Sequence, residues 1–249
     1  MNKSGTPIKA RENLRSTIIR VAPELSFRES SFKLGQLIRD TRADAYHKVV
    51  SRTRKGGAIN KRLSDITDSA IKGLFEAGAW HFPEEAHYLA VMAIGGYGRG
   101  ALAPYSDIDL LFLHAPYARQ KVKPLTDFIL YALWDTGFSI AQCVHSPASA
   151  ITFAKEDLSG NTSFLDARML IGAETIVDDF RTRYEKHRQQ TVQQFVEAKL
   201  EEREQRLSEA FASRYQIEPD VKEGKGGLRD LQTIHWLARY TQGTANIPE

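Results

Sequence analysis

The chain has 249 residues, of which 34 are Lys or Arg and 31 are Asp or Glu, so its formal net charge is +3. Hydrophobic residues make up 42% and charged residues 26%, which is typical of a soluble globular protein. No dense Lys/Arg block indicates a nucleic-acid-binding face, and the single cysteine excludes both an intrachain disulfide and a Cys-based zinc site. No apolar run is long enough to cross a membrane, so we expect a cytoplasmic protein.

The first part of the chain predicts two helices. Residues 1–28 are polar and mixed, which predicts a flexible lead-in. Apolar residues at helical spacing then predict an amphipathic helix over about 30–54, which ends before Gly56. A second helix is predicted over about 60–79. Six apolar residues share one face of it: Leu63, Ile66, Ala70, Ile71, Leu74 and Phe75.

Three strands and one helix follow. The strands are predicted over residues 88–94, 107–114 and 138–145, and the first of them leads into a glycine turn. The helix is predicted over 121–136, and Gly137 is placed to end it.

The remaining chain predicts helices, over about 147–156, 161–172, 174–190, 190–214 and 228–240. The helix near 190–214 has too few apolar residues for a firm core of its own. We therefore expect it to pack on residues beyond 249, as in the front part of a longer protein. The fold class is α+β. A small mixed sheet with N-terminal helices is predicted for residues 29–156, and a helical region for 157–249.

Two aspartates at the start of the second strand are the first functional signal. Side chains alternate along a strand, so Asp107 and Asp109 point the same way, roughly 7 Å apart, while Ile108 faces the opposite side. Two carboxylates on one face are suited to divalent metal ions. A solvated strand edge would explain the same spacing. The apolar run 110–113 argues against it, because unpaired carboxylates on a buried strand are costly.

The glycine turn is the second signal. Gly95 and Gly96 follow a strand directly and allow a phosphate to approach the backbone, and Arg99 can add positive charge. A plain turn with a solvated arginine is the alternative. Residues 96–101 also match the Gly-x-Gly-x-x-Gly/Ala dinucleotide pattern, but Pro104 comes too soon for the helix that pattern requires.

The order of these motifs resembles a known family. Residues 95–100 read Gly-Gly-Tyr-Gly-Arg-Gly, and residues 102–113 read Leu-Ala-Pro-Tyr-Ser-Asp-Ile-Asp-Leu-Leu-Phe-Leu. This signature is similar to the polymerase-β-like nucleotidyltransferases, and within them to the bacterial PII uridylyltransferase/uridylyl-removing family. Two further blocks resemble the same family, at residues 163–168 and from Ile217-Glu218-Pro219-Asp220 to residue 233.

The resemblance implies transfer of UMP from UTP to a tyrosine hydroxyl of the PII nitrogen-signalling protein, with release of pyrophosphate. It implies that Asp107 and Asp109 are catalytic and bind Mg²⁺, or Mn²⁺ in its place. The triphosphate would be held by Gly95, Gly96, Arg99 and Ser106. Lys225 and Arg229 are further candidates for the phosphates, although a solvated basic loop explains them equally well.

Two departures from the family pattern leave alternatives open. The superfamily often adds a third carboxylate from a later strand, but residues 138–145 contain no acid. The candidates to replace it, each more simply a helix cap or an ion-pair partner, are Asp166, Glu218, Asp220 and Asp230. No His-Asp dipeptide occurs, so we expect the family's uridylyl-removing hydrolase to lie outside these residues.

Two other function classes are considered. One is a nucleotidyltransferase that acts on RNA or on a small hydroxyl compound, although no basic, aromatic-bearing stretch indicates a nucleic-acid partner. The other is a non-catalytic module that senses nucleotides.

Overall fold

The computed structural model describes residues 14–21, 27–52, 56–212 and 220–243, which form eleven helices and four strands. The helices are α1 (Leu14–Val21), α2 (Phe27–Arg52), α3 (Gly56–His81), α4 (Pro83–Ala86), α5 (Gly95–Gly98), α6 (Arg119–Trp134), α7 (Pro147–Glu156), α8 (Leu158–Phe164), α9 (Glu174–Gln190), α10 (Val192–Ala212) and α11 (Leu228–Gln242). The strands are β1 (Leu89–Ala93), β2 (Ile108–His114), β3 (Ile140–His145) and β4 (Arg168–Gly172). The predicted α+β class is confirmed.

The chain divides into two compact units. Of the described residues, those up to Pro147 and those from Asp166 to Asp178 make up the sheet unit, and those from Ala148 to Leu165 and from Asp179 onward make up the helical unit. The predicted division at residue 156 differs from this one. The segment after α8 returns to the sheet unit because β4 pairs there with β1.

The sheet is mixed and has the strand order β3-β2-β1-β4. β1 is antiparallel to both β2 and β4, whereas β2 and β3 are parallel. The register places Asp109 of β2 beside Ala141 of β3, and Met92 of β1 opposite Leu111 of β2. The three strands predicted from periodicity are confirmed to within two residues at each end.

One face of the sheet packs on helices. The hydrophobic core joins Ile108, Leu110 and Phe112 of β2 to apolar residues of α3 and α6. This confirms the prediction that Ile108 faces away from Asp109, and it places Leu110 and Phe112 on the same apolar face. All six residues of the predicted apolar face of α3 are buried. Gly137 has a φ of 75° after α6, as expected for the residue that ends a helix.

The prediction of a helix over 161–172 is confirmed for residues 161–164 and wrong for the rest. α8 ends at Phe164, and residues 168–172 form β4, whose pairing with β1 shifts in register between Val91 and Met92. The short apolar run 169–171 suits a strand or a helix equally well, and the free edge of β1 selects the strand.

The flexible lead-in predicted for residues 1–28 is wrong for residues 14–21, which form α1. Leu14 and Ile18 are buried in the core of the sheet unit, and Ile18 packs against the backbone of Gly73. Arg15 forms a bidentate ion pair with Glu76 of α3. Residues 1–13 and 22–26 lie outside the described residues.

The helical unit has its own aromatic core. The Phe195 and Tyr240 rings stack with centroids 3.7 Å apart, and Phe164 packs edge-on against Phe180. The Tyr184 hydroxyl donates a hydrogen bond to the Asn161 carbonyl at 2.7 Å. These contacts join α8 to α9 and α10 to α11, and a hydrogen bond of 3.2 Å from the Asn161 side-chain amide to the Tyr240 hydroxyl joins α8 to α11.

Candidate nucleotide and metal site

The carboxylate of Asp109 lies directly against the glycine turn. Asp109 is half-buried on β2, and its backbone carbonyl accepts a hydrogen bond of 3.1 Å from the Ile94 amide. Gly95 follows with a φ of +55°, and a Cβ atom added there would lie 2.9 Å from Asp109 Oδ2. A side chain at residue 95 would therefore be strained and would also press on the carboxylate.

Asp107 lies one residue before β2 and is exposed, whereas the sequence predicts it inside the strand. Burial raises the pKa of Asp109 to about 6, and the negative charge of Asp107 adds to this rise. Arg99 acts in the opposite direction and lowers the pKa of Asp109. The two predicted carboxylates and the predicted arginine are thus near enough to affect one another's charge.

Arg99 follows α5 and is ion-paired. Its guanidinium donates to Asp166 Oδ2 at 2.6 Å, and the Asp166 side chain is fully buried. The same guanidinium is 3.7 Å from a Cβ atom built on Gly96. Asp166 therefore orients a predicted phosphate-binding residue, as an ion-pair partner rather than a third metal-binding acid.

Tyr97 fixes the middle of the turn from the core side. Its ring is buried, and its hydroxyl donates to Asp68 Oδ1 on α3 at 2.7 Å. Arg168 donates to both oxygens of Asp68, at 2.6 and 3.0 Å, and its Nε donates to the Gly98 carbonyl at 3.2 Å. We call Asp68, Tyr97 and Arg168 the turn clamp.

The sequence analysis gave no role to Asp68, and Arg168 entered it only as the last residue of the block 163–168. They lie 29 residues before and 71 residues after Tyr97, so no local spacing connects them with the turn. The only local signal is a tyrosine between glycines, where a small or polar residue is usual.

The segment that connects the turn to Asp107 is also anchored. The amide of Leu102 donates to Ser64 Oγ at 3.0 Å, and Arg42 donates to the Pro104 carbonyl at 3.4 Å. Arg42 also lies over the Phe138 ring, 4.1 Å from its centroid, and burial lowers its pKa. Ser106, the predicted phosphate ligand, is exposed next to Asp107.

β3 contributes no acid beside Asp109. Cys143 is two residues beyond Ala141, on the same side of the strand, and its pKa is raised to about 12 by burial and by the charge of Asp109. The thiol donates a weak hydrogen bond to the Leu110 carbonyl at 3.8 Å. Cys143 thus lies on the same side of the sheet as Asp109 and stays protonated at neutral pH.

Lys225 and Arg229 belong to the helical unit. Arg229 is held by Glu223, at 2.9 and 3.2 Å, and lies over the Trp236 ring at 5.5 Å. Lys225 is exposed in the loop before α11. These contacts give Arg229 a structural role, and binding of phosphate by either residue stays a prediction.

The other candidate acids have structural partners. Asp230 receives hydrogen bonds from Arg203, Arg206 and the Gly226 amide, which lower its pKa to about 2. Asp220 caps the amides of residues 222 and 223. Glu218 lies outside the described residues. Asp220 thus acts as a cap, and Asp230 acts as an ion-pair partner.

The donor set fits a hard cation. The two aspartates supply only oxygen donors, which Mg²⁺ prefers, and the unfavourable burial of the Asp109 charge would be relieved by a cation. Within the described residues no group of three or more His, Cys, Asp or Glu is arranged to hold a metal ion. Any ion here would therefore need ligands besides these side chains, such as phosphate oxygens.

Comparison with known proteins tests the resemblance. Residues 194–249 match the family model described as GlnD PII-uridylyltransferase. A bifunctional uridylyltransferase/uridylyl-removing enzyme from Caulobacter vibrioides is 43% identical over 191 residues, covering 74% of this chain and 20% of that protein. The resemblance to the PII-uridylyltransferase family is confirmed.

Other relatives with the same name agree with this result. The Nitrobacter hamburgensis protein is 41% identical over 204 residues, covering 79% of this chain and 22% of its own length. The Erythrobacter litoralis protein is 35% identical over 213 residues, covering 83% and 23%. The chain thus spans about a fifth of the length of the PII-uridylyltransferase relatives it matches. In the part of the chain that the structure describes, no helix has the length and apolar character needed to cross a membrane.

Proposed function

We propose that the sheet unit transfers UMP from UTP to a tyrosine hydroxyl of the PII nitrogen-signalling protein and releases pyrophosphate. The observation that carries this proposal is the half-buried carboxylate of Asp109, packed against Gly95 and close to the charge of Asp107. The relatives' names, which describe those proteins as uridylyltransferases, support the same reaction.

The turn is suited to the triphosphate. Gly95 and Gly96 carry no side chains, so phosphate oxygens can approach the backbone closely. Arg99, held by Asp166 beside Gly96, adds positive charge at this point. The exposed hydroxyl of Ser106 can donate a further hydrogen bond to a phosphate oxygen.

Asp107 and Asp109 would hold Mg²⁺, or Mn²⁺ in its place. When bound, the metal supplies neutralisation of phosphate charge and activation of the attacking oxygen. The two carboxylates must be ionised for this role. With its pKa near 6, Asp109 is mostly ionised at neutral pH.

The reaction needs alignment more than covalent chemistry from the protein. The tyrosine oxygen of the acceptor forms a bond to the α-phosphorus, and the bond from that phosphorus to the oxygen bridging to the β-phosphate breaks. Pyrophosphate leaves with that oxygen, and the hydroxyl proton passes to solvent. The residues of the turn hold the triphosphate in line while the charge moves.

A labelling experiment tests the proposal. The chain is incubated with Mg²⁺ and UTP labelled at the α-phosphate, together with PII or with RNA. We expect label on PII, and none with the variant Asp109→Asn. The matched control is Asp65→Asn, which removes an exposed carboxylate of α3 paired with Lys61 at 3.5 Å. Label on RNA alone, or binding of UTP without transfer to either, would overturn the proposal.

Uridylyl removal is expected to lie outside this chain. The sequence contains no His-Asp dipeptide, and the matched relatives are about five times as long as the matched segment. Uridylylated PII incubated with the chain, without pyrophosphate, should therefore release no UMP. Release of UMP by the purified chain would contradict this part of the proposal. The cytoplasmic location stays a prediction.

A further inference from the structure

We propose that Asp68 is a positioning residue for the nucleotide: through Tyr97 and Arg168 it holds the glycine turn in the form that receives the triphosphate. This inference rests on the proposed function, because it concerns the same turn. Asp68 is on α3 and is not itself placed among the metal or phosphate ligands.

The turn is short and rich in glycine, and its own backbone hydrogen bonds span only a few residues. They include Gly98 N–H to the Ile94 carbonyl at 2.8 Å and Gly100 N–H to the Tyr97 carbonyl at 3.0 Å. Glycine loses more conformational freedom on ordering than any other residue. Order in this segment therefore depends on side chains that attach it to the rest of the sheet unit.

The turn clamp supplies that attachment at two points. Tyr97 ties the middle of the turn to Asp68, and Arg168 ties the Gly98 carbonyl to the same carboxylate. Gly98 also fits so closely against the backbone carbonyl of Asp166 that a Cβ atom would collide with it. The clamp thus holds the turn at the point where its backbone packs directly on that of Asp166.

The turn clamp does not place an unpaired negative charge beside the triphosphate, because the carboxylate of Asp68 is paired with Arg168. The Asp68 side chain is only 17% exposed, and the guanidinium of Arg168 forms a bidentate ion pair with it. Burial, with the neighbouring Asp68 charge, raises the pKa of Tyr97 well above its ordinary value, so the phenol stays a hydrogen-bond donor at neutral pH. A bare carboxylate here would repel a triphosphate, whereas the paired one does not.

Loss of the clamp should reduce the fraction of molecules whose turn is ready for the nucleotide. The apparent dissociation constant rises as the inverse of that fraction, while saturating nucleotide restores the ordered turn. The expected result for Asp68→Asn is a rise of about tenfold in the KM for UTP and in the Kd for Mg·UTP, with kcat nearly unchanged. Asparagine can still accept from Tyr97 but cannot receive both donors of Arg168.

The matched control is Glu76→Gln, because Glu76 lies on the same helix as Asp68, and this substitution breaks its bidentate ion pair with Arg15 of α1. Among the described residues Glu76 pairs with Arg15 and not with a residue of the turn, so this variant should lose comparable stability and keep the wild-type KM. Circular dichroism at the assay temperature should show all variants folded. Tyr97→Phe, which keeps the ring in the core, should raise KM by a smaller factor, and Asp68→Glu, which keeps the charge, should partly restore it.

The outcomes separate this inference from the proposed function. A wild-type KM for folded Asp68→Asn, with normal transfer by the wild type, overturns the inference alone. An equal rise in KM for Glu76→Gln also overturns it, because general destabilisation would then explain the effect. If Asp68→Asn does not fold, Tyr97→Phe decides in the same way. Absence of transfer by the wild type overturns the proposed function, and the Kd for Mg·UTP measured by calorimetry still tests the clamp.

Discussion

The substitution Asp109→Asn should stabilise the protein while it abolishes transfer. Burial and the charge of Asp107 raise the pKa of Asp109 from its ordinary value of 3.8 to about 6, so the folded state disfavours the ionised carboxylate. Each tenfold change in proton affinity corresponds to about 1.4 kcal/mol, so ionisation of Asp109 would lower the free energy of unfolding by about 3 kcal/mol above pH 6. The side chain keeps contact with solvent, which screens its charge, so the expected loss is about 1–2 kcal/mol.

The pH dependence follows from the same difference. The pKa of Asp109 is near 3.8 in the unfolded chain and near 6 in the folded protein. At pH values between these two, Asp109 binds more protons in the folded state than in the unfolded state. Stability of the wild type therefore falls as the pH rises through this window, and the cost is complete above it. Asparagine carries no charge. The free energy of unfolding of Asp109→Asn should therefore exceed that of the wild type by about 1–2 kcal/mol at about pH 7.5 and by only about 0.3 kcal/mol at about pH 4.

The assay is urea denaturation followed by tryptophan fluorescence, in EDTA so that no divalent cation offsets the charge. The matched control, Asp65→Asn on the exposed side of α3, should change the free energy of unfolding by less than about 0.5 kcal/mol at both pH values. Destabilisation by Asp109→Asn at about pH 7.5, or a gain of the same size at both pH values, would refute the reasoning about the buried charge.

Three further predictions concern the site and the helical unit. Asp107→Asn should abolish transfer but change stability by less than about 0.5 kcal/mol, since Asp107 is exposed; transfer near the wild-type rate would remove it from the catalytic role. Gly98→Ala should destabilise the chain by more than about 2 kcal/mol in urea denaturation, because its Cβ atom would collide with the Asp166 backbone; a wild-type midpoint would contradict this. Burial, with Lys155 nearby, lowers the pKa of His187, so the folded state binds fewer protons and stability should fall as the pH drops below 6.5. His187→Gln should show a weaker loss in the same denaturation series, and an identical loss would exclude His187 as its source.

Local patterns in the sequence predicted most of the elements and the proximity of the two aspartates to the glycine turn. Alternation along residues 107–114 placed Asp109 on the face opposite the core, since this periodicity is a property of any strand. The glycines before it predicted a close backbone approach, and the structure has one at Gly95, where a Cβ atom would lie 2.9 Å from Asp109 Oδ2. Helical periodicity likewise identified the buried face of α3 before any partner was known.

The tertiary structure decided what depends on residues far apart in the chain. Residues 168–172 became a strand because β1 offered them an unpaired edge, and no local preference separates that outcome from a helix. Asp166 proved to be the partner of Arg99, and Asp68 the anchor of Tyr97, because packing brings residues 67 and 29 positions apart into contact. A sequence shows which residues are capable of an interaction, whereas the fold selects the partner, since buried charges and hydroxyls must find one within reach.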